Sequence, residues 1–481
     1  VTLAGQPFID TRLSFHSYIP KSTPSVVAEK LVDHWVEKLK SYPELHDKVE
    51  FRVAITTYSF DFDKKVEDLI GDVLNSTEKK EFKRAHLEQT MRLIKGDGKG
   101  SIDKALNKIK TLEAKQESYD CIELQDNISF LFTMIDDCIN LGTIPFSILA
   151  RHGFIAQTIL LSLNQQGVIT HDEIVQIQAS VKTVASELVD DINLFQLGPL
   201  SRDEFMKKYG HLRPGTYDIM SQRYDKMDNL SITNNLKQKK QPFKEFAFTQ
   251  IQQDEINNLL RKDGFNNFSA SDLLSYIKQA IYSREYSKFI FTRTVSDMLE
   301  LIASFAENNN LSRDEISHVS IDFMLDMTKN SNINNIEDLL RKVSEKGVEK
   351  HNVSAAIRLP QLLTDKTGVY VIPFQVSHPN FITHKKVIAQ CAVLESDTDK
   401  LSLNKKIVLI EGADPGYDWI FSHNIAGLIT KYGGVNSHMT IRCAEFGIPA
   451  AIGCGEQRFN SFLRSNRLHL DCAAGLIKPL H

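Results

Sequence analysis

Gly433–Gly434–Val435–Asn436–Ser437–His438–Met439–Thr440–Ile441–Arg442–Cys443–Ala444–Glu445–Phe446–Gly447–Ile448–Pro449–Ala450 decides how this 481-residue chain is read. The short apolar run before it, Gly427–Thr430, reads as a strand. Gly433–Gly434 permits a tight turn with positive φ and close backbone approach. Asn436 or Ser437 can cap a helix that has His438 in its first turn. Gly447 ends that helix after Phe446, and Ile448–Pro449 opens the next strand. The stretch is therefore a strand–turn–helix–strand unit with a histidine at a helix N-terminus. Free N–H groups and the helix dipole stabilise an anion there. The same field favours the neutral, nucleophilic imidazole. Phosphate chemistry at His438 is the expectation, with a structural histidine in a turn as the alternative.

The texture around this unit divides the chain. From about residue 386 it is α/β, with strands expected at Lys386–Leu394, Ile407–Ile410, Gly427–Thr430 and Ala450–Gly453. Residues 351–385, with Pro360, Pro373 and Pro379, read as an extended connector or hinge. Residues 1–350 read as one mainly helical domain. Its first 60 residues mix short β-like runs with a helix at Val27–Leu39 and a strand at Val49–Thr57. Helical spacing then recurs at Leu124–Asn140, Pro145–Gln165, His171–Phe195, Ser201–Lys208, Ala270–Phe305 and Asn335–Lys346. Thr170–Glu173 and Ser312–Glu315 have the form of capping boxes, and Ser269 or Ser271 can cap the next helix. Gly96–Gly100 reads as a flexible loop and Lys237–Lys240 as a basic surface run. The fold class expected is multidomain α+β: a large mainly helical domain, then a small α/β domain over 386–481.

The C-terminal stretch resembles the swivelling phosphohistidine domain of the phosphoenolpyruvate-utilising enzyme family. Gly433, Gly434, Ser437, His438, Glu445, Gly447, Ile448, Pro449, Ala450 and Gly453 carry the resemblance, over about Lys386 to Pro479. It implies that His438 is phosphorylated and dephosphorylated, with Gly433, Gly434 and Ser437 around the phosphate. Many members carry Arg directly before the Glu, whereas this chain has Ala444 there and Arg442 two places earlier. One helical turn after His438, Arg442 reads either as a phosphate partner or as a solvated surface residue.

The resemblance also implies an order of parts. The family's phosphoenolpyruvate barrel needs about 250 residues and does not follow His438 here. A helical domain followed by a C-terminal histidine domain resembles L-glutamine kinase and rifampicin phosphotransferase. The expected function is transfer of a phosphoryl group from ATP, through phosphohistidine, to a small acceptor, with glutamine first and AMP and phosphate as products. An antibiotic phosphotransferase and a non-catalytic phosphocarrier fed by a separate kinase are the alternatives. ATP and Mg²⁺ are expected on an ATP-grasp domain, in cis upstream or in trans; the chain begins at Val1 and no phosphate loop of that kind is seen over 1–350.

Tyr209–Asp218 (YGHLRPGTYD) resembles a YGHRGP-type segment of the family. His211 is its candidate general base or acceptor-orienting group, with a turn histidine bonded to backbone as the alternative. An amino-acid acceptor needs a guanidinium and a carboxylate. Arg12 with Asp10, Arg213 with Asp218, and Arg293 with Asp297 are candidates, each equally readable as a structural ion pair. Segments at 5–12, 45–51, 149–154 and 413–421 also resemble glutamine-kinase-like sequences.

Composition sets outer limits. Two to four domains fit the length, at about 100–200 residues each. Apolar residues at 42% and charged residues at 25% exclude collagen, disulfide mini-proteins and wholesale disorder. A net charge of −4 argues against nucleic acid as a partner. The six cysteines form no CxxC and read as free thiols of a reducing compartment. The N-terminus lacks signal-peptide form, and the apolar run Phe154–Leu163 is too short to span a bilayer. A cytoplasmic location with no membrane partner is expected.

Overall fold

The computed structural model describes residues 1–94, 100–119, 128–227, 245–328, 335–357, 359–370, 378–394, 403–413, 415–434 and 437–480. Lys237–Lys240, most of the Gly96–Gly100 loop, the start of the expected Leu124–Asn140 helix, Cys121, Val435 and Asn436 lie outside them.

A small hairpin of β1 (Thr2–Leu3) and β2 (Gln6–Pro7) opens the chain, and helices follow. They are α1 (Thr11–Tyr18), α2 (Ser25–Ser41), α3 (Phe62–Leu69), α4 (Ser76–Ile94), α5 (Ser101–Tyr119), α6 (Phe130–Asp137), α7 (Ile144–Gln165), α8 (His171–Ala179) and α9 (Val184–Leu197). Then come α10 (Arg202–Tyr209), α11 (Gln250–Lys262), α12 (Ala270–Asn308), α13 (Arg313–Ser317), α14 (Ile321–Thr328) and α15 (Ile336–Ala356). Their apolar stripes form one main core, in which Trp35, Phe82, Ile109, Leu160 and Ile277 are buried. Helix α12 has 39 residues and spans roughly 60 Å at 1.5 Å per residue. It packs along α7 and α5 and is the spine of the helical part. The capping boxes at Thr170/Glu173, Ser269/Asp272 and Ser312/Glu315 all form.

Two expectations are corrected. Val49–Thr57 is no strand: Val49–Val53 makes a π-helical turn, and the extended residues after it pair with no sheet. Val53, Ala54 and Ile55 are buried in the main core, and the Arg151 guanidinium donates to the Thr56 carbonyl at 2.8 Å. Their alternation reflects burial, not strand pairing. The expected helix His171–Phe195 is two helices, because the Thr183 hydroxyl accepts from the Ser186 N–H and caps a new one. The apolar run Phe154–Leu163 belongs to a continuous helical stretch, Phe130–Gln165, long and apolar enough by length and composition to cross a membrane. Half of its most apolar window is buried within the fold, against α12 and α5.

The last helix of the helical part ends at Ala356, and the first strand of the C-terminal sheet begins at Asn380. The sheet comprises β3 (Asn380–Ile382), β4 (Lys386–Val393), β5 (Ile407–Ile410), β6 (Gly427–Thr430), β7 (Ala450–Ile452), β8 (Arg467–Asp471) and β9 (Leu476–Leu480). Their order is β3-β7-β6-β5-β4-β8-β9. The central four, β7 to β4, are parallel, and the flanking strands are antiparallel. Every residue of β5, β6 and β7 is buried, as parallel strands covered on both faces require. Helices α16 (His438–Glu445) and α17 (Glu456–Leu463) complete the part. The five described cysteines are all unpaired.

The two parts meet at backbone level. Gly416 lies in a 3₁₀ helix, Pro415–His423, and faces the loop after α10. A Cβ on Gly416 would stand 1.6 Å from the Arg213 carbonyl oxygen, so only glycine fits. The Tyr224 hydroxyl donates to the Gly416 carbonyl at 2.7 Å. Trp419 packs on a small cluster containing Leu188, Phe205, Tyr209 and Tyr224. Arg213 fixes the receiving loop: it donates to Ser296, to the carbonyls of Asp218 and Ser221, and to the Glu300 carboxylate at 2.9 Å. Its side chain is 1% exposed. Arg213→Met leaves Glu300 with Arg313 alone and removes the donor from the carbonyls of Asp218, Ser221 and Ser296; it is expected to cost about 1–3 kcal/mol, read as a lower urea midpoint of unfolding. A midpoint within error of wild type would contradict it.

Candidate phosphohistidine site between the two parts

Helix α16 starts beyond the carboxyl end of β6, where parallel α/β sheets place their ligands. Two glycines make the turn possible. Gly433 has φ +135°, and a Cβ there would stand 2.8 Å from the Cβ of Ala413. Gly453, with φ +76°, lets the loop after β7 close on the Gly433 carbonyl. Ser437 occupies the N-cap in extended conformation without the usual side-chain cap bond. Thr440 donates to the Gly434 carbonyl at 3.0 Å, so the 2.9 Å contact between the two hydroxyls has Ser437 donating to Thr440.

His438 is 6% exposed and faces the helical part. Its Nε2 stands 2.7 and 2.8 Å from the two carboxylate oxygens of Asp418, and its Nδ1 stands 3.1 Å from Oε2 of Glu285 on α12. These surroundings work against the neutral imidazole expected from the helix dipole. Burial opposes protonation, but the charge of Asp418 and hydrogen bonds to Asp418 and Glu285 outweigh it and raise the pKa of His438. Both ring nitrogens face carboxylates, an arrangement that favours the protonated ring over the neutral one. For Glu285, burial is overcome by the hydrogen bond to His438 and by the charges of Arg284, His438 and Arg442, which hold its carboxyl well below the usual range.

Arg442 is not a solvated surface residue. It is 1% exposed and contacts Glu285 at 3.3 Å, Thr183 at 2.8 Å and Glu445. Burial disfavours its charge, but Glu445, Asp418 and Glu285 raise its pKa on balance. Burial raises the pKa of Glu445, with Arg442 opposing it. The guanidinium is thus poised one turn below the imidazole among three carboxylates.

Two cavities flank Glu285. The one beside His438, about 30 Å³, is lined by Val184, Leu188, Leu212, Lys288, Phe289 and Thr292. It holds about one water. The other, about 460 Å³, lies between the two parts. Its apolar wall includes Phe154, Leu161, Ile174, Ile281 and Phe381, and its polar rim includes His171, Arg284, His384 and Lys385. Arg284 pairs with Glu285 at 3.0 Å, and Lys385 donates to the Gly447 carbonyl at 2.7 Å. Glu285 lines both cavities.

The remaining sequence candidates lie elsewhere. Asp10 caps α1 through the Leu13 N–H, and Arg12 pairs with Asp33 on the surface instead of Asp10. Arg213 meets the Asp218 carbonyl, while the Asp218 carboxylate accepts from the Met220 N–H. Arg293 does stand near Asp297, at 3.9 Å, but Asp297 also takes Arg223 at 2.6 Å. None of these residues lines either cavity. His211 is buried, with its Nε2 unpartnered among the described residues and its ring edge-on to Phe289 at 4.8 Å. Burial, then the charges of Arg293, Arg223 and Arg213, push its pKa well down. Phe289 lines the small cavity, so His211 stands a layer behind it.

Glu285, Arg284, Asp418 and Thr183 were not singled out by sequence reasoning. Asp418 lay inside a noted segment, Ala413–Phe421, without a role. Glu285 carries one faint signal, a carboxylate in a helix whose packed stripe turns small at Ala280, Ser283 and Ser287.

Residues 403–475 match the family described as PEP-utilising enzyme, mobile domain. Over those residues the C-terminal part is similar to a phosphohistidine-carrying phosphotransfer domain. No curated protein matches the chain.

Asp418 and Glu285 raise the pKa of His438 above its ordinary 6.5. Its contribution to stability is therefore full below about pH 6.5 and is lost as pH rises through the raised value. The urea midpoint of wild type relative to His438→Gln should fall across that window. A constant difference between the two proteins would show that the imidazole is not charged in the fold.

Proposed function

We propose that the chain passes a phosphoryl group from a phosphohistidine at His438 to an acceptor held between its helical and C-terminal parts. The observation that carries this reading is the contact of His438 with Glu285, the residue shared by the two cavities. Transfer of a phosphoryl group depends on positioning and charge neutralisation more than on covalent help. The α16 N-terminus and Arg442 supply the positive field. As the P–N bond breaks and the bond from phosphorus to the acceptor forms, Glu285 takes the acceptor's proton and passes that same proton to the ring nitrogen the phosphoryl group has left. Glu285 holds this role in preference to His211, which lines neither cavity.

The source of the phosphoryl group is ATP with Mg²⁺ on an ATP-grasp domain in cis or in trans, with AMP and phosphate as products. Among the described residues no group of three or more His, Cys, Asp or Glu could hold a metal. A cytoplasmic location goes with this reading.

Glutamine is one acceptor that fits this scheme, through its side-chain amide. The larger cavity favours a second reading. Pockets of roughly 300–1,000 Å³ with apolar walls and a few polar groups suit drug-sized ligands. At about 460 Å³ the cavity leaves most of its volume unfilled around a single amino acid. A mainly apolar acceptor with a few polar groups, closer to an antibiotic in size, matches its wall and its rim of both charges (Arg284 and Lys385 with Asp172 and Glu285) better. The same cavity supports an acceptor-using enzyme over a bare phosphocarrier.

Phosphorus NMR of the protein charged with a phosphoryl donor should show one phosphohistidine, absent in His438→Gln. Formation of the same signal in that variant would exclude His438. Glu285→Gln should still be phosphorylated, while discharge to a candidate acceptor falls by about 10²–10⁴-fold. Unchanged discharge would remove Glu285 from the reaction.

A further inference from the structure

Asp418 reaches His438 from a segment that is itself seated on the helical part. Two residues before it, Gly416 lies against the Arg213–Pro214 backbone and accepts from Tyr224. One residue after it, Trp419 packs into the cluster of Leu188, Phe205 and Tyr209. The position of Asp418 is thus tied both to the imidazole and to the interface.

The imidazole has no nitrogen to spare. A phosphoryl group on Nε2 would displace both Asp418 oxygens, and one on Nδ1 would displace Glu285. The cavity beside the ring, about 30 Å³, does not accept the group in either case. Phosphorylation also replaces a cationic ring by a group carrying up to about two negative charges. That change falls among Asp418, Glu285 and Glu445, opposed by Arg442, Arg284 and Lys288.

We propose that Asp418 is a positioning residue that makes docking of the C-terminal part depend on whether His438 carries a phosphoryl group. The unphosphorylated ring is clamped by Asp418, with Pro415–His423 seated on the Arg213–Gly215 loop. The phosphorylated ring is excluded from this arrangement until the segment and its carboxylate withdraw. Discharge restores the N–H donor, and the clamp closes again. The inference rests on the reading of His438 as the phosphorylated residue.

The isosteric pair His438→Glu and His438→Gln tests the charge without a phosphoryl donor. The chain has two tryptophans, Trp35 in the core and Trp419 on the segment, and Trp419→Phe identifies the signal of the second. His438→Glu should shift Trp419 emission to the red and speed amide exchange over Pro415–His423 by on the order of 100-fold, as juxtaposed like charges require. His438→Gln, which removes the ring but adds no charge, should move both much less than His438→Glu, and His438→Glu with Asp418→Asn should move back toward the Gln variant. Equal emission and exchange in the Glu and Gln variants would overturn the proposal, and failure of Asp418→Asn to restore docking would overturn the role of Asp418.

A second arm uses wild type with phosphoramidate. Its P–N bond breaks, ammonia leaves and a new P–N bond forms to the imidazole. Phosphorylated wild type should match His438→Glu; a phosphorylated protein with the segment still seated would overturn the clamp. Absence of any phosphohistidine would count against the proposed function, while the Glu and Gln comparison would still decide the clamp.

Discussion

The junction between the two parts depends on one buried imidazole shared by two carboxylates that come from opposite sides of it. Burying a carboxylate is costly unless it is paired and hydrogen-bonded. Asp418 and Glu285 are both nearly inaccessible, and each uses His438 as its partner. Arg442 and Arg284 carry the rest of the compensation. The centre of the interface is therefore ionic, and its apolar contacts, such as Trp419 on the Leu188–Tyr224 cluster, lie to the side. An interface built this way follows the charge of one titratable, modifiable ring. A purely apolar seam would not respond to it.

Ordinary fold mechanics deliver these groups. The parallel strands β5, β6 and β7 aim their carboxyl ends at the helical part, and the glycine turn after β6 starts α16 with His438 as its first residue. The segment after β5 places Asp418 on the same edge. On the other side, α12 is long enough to join the core through Ile277 and Ile290 while presenting Glu285 between them. Thr183, the residue that ends the α8–α9 run and caps α9, also meets Arg442. One hydroxyl thus serves a helix start and the site.

The legible features were local. Gly433–Gly434, the first-turn histidine and the stop at Gly447 are neighbours in sequence, so turn and cap chemistry reveal the C-terminal unit directly. The helices at Pro145–Gln165 and Ala270–Phe305 were legible through their apolar spacing, while α4 and α5 were covered only by the general helical texture; the boxes at Thr170–Glu173 and Ser312–Glu315 were legible through residue type alone. Val49–Thr57 misled because alternation records which side chains are buried, and a strand also needs a partner. Glu285 was illegible for a different reason. It lies 153 residues before His438, inside a helix, and its meaning comes from a contact made only in the folded chain. Arg213 shows the converse. It carries the guanidinium that an acceptor pocket needs, yet every visible partner is a loop carbonyl, a serine or Glu300.

The large cavity links ligand binding to docking. Phe154, Ile174 and Arg284 of its wall belong to the helical part, and Phe381, His384 and Ile441 to the C-terminal part. Neither part encloses the space alone, so a ligand that fills it binds the docked arrangement better than the separated one. Mass action then favours docking as the ligand concentration passes its dissociation constant. On the proposed function, the acceptor's binding energy offsets the electrostatic cost of bringing a phosphorylated ring toward Glu285. A charged domain without acceptor stays away from the carboxylates, and a charged domain with acceptor is drawn in. Loss of phosphate to water is thereby disfavoured, because the residues that would discharge the ring are assembled chiefly when an acceptor is present.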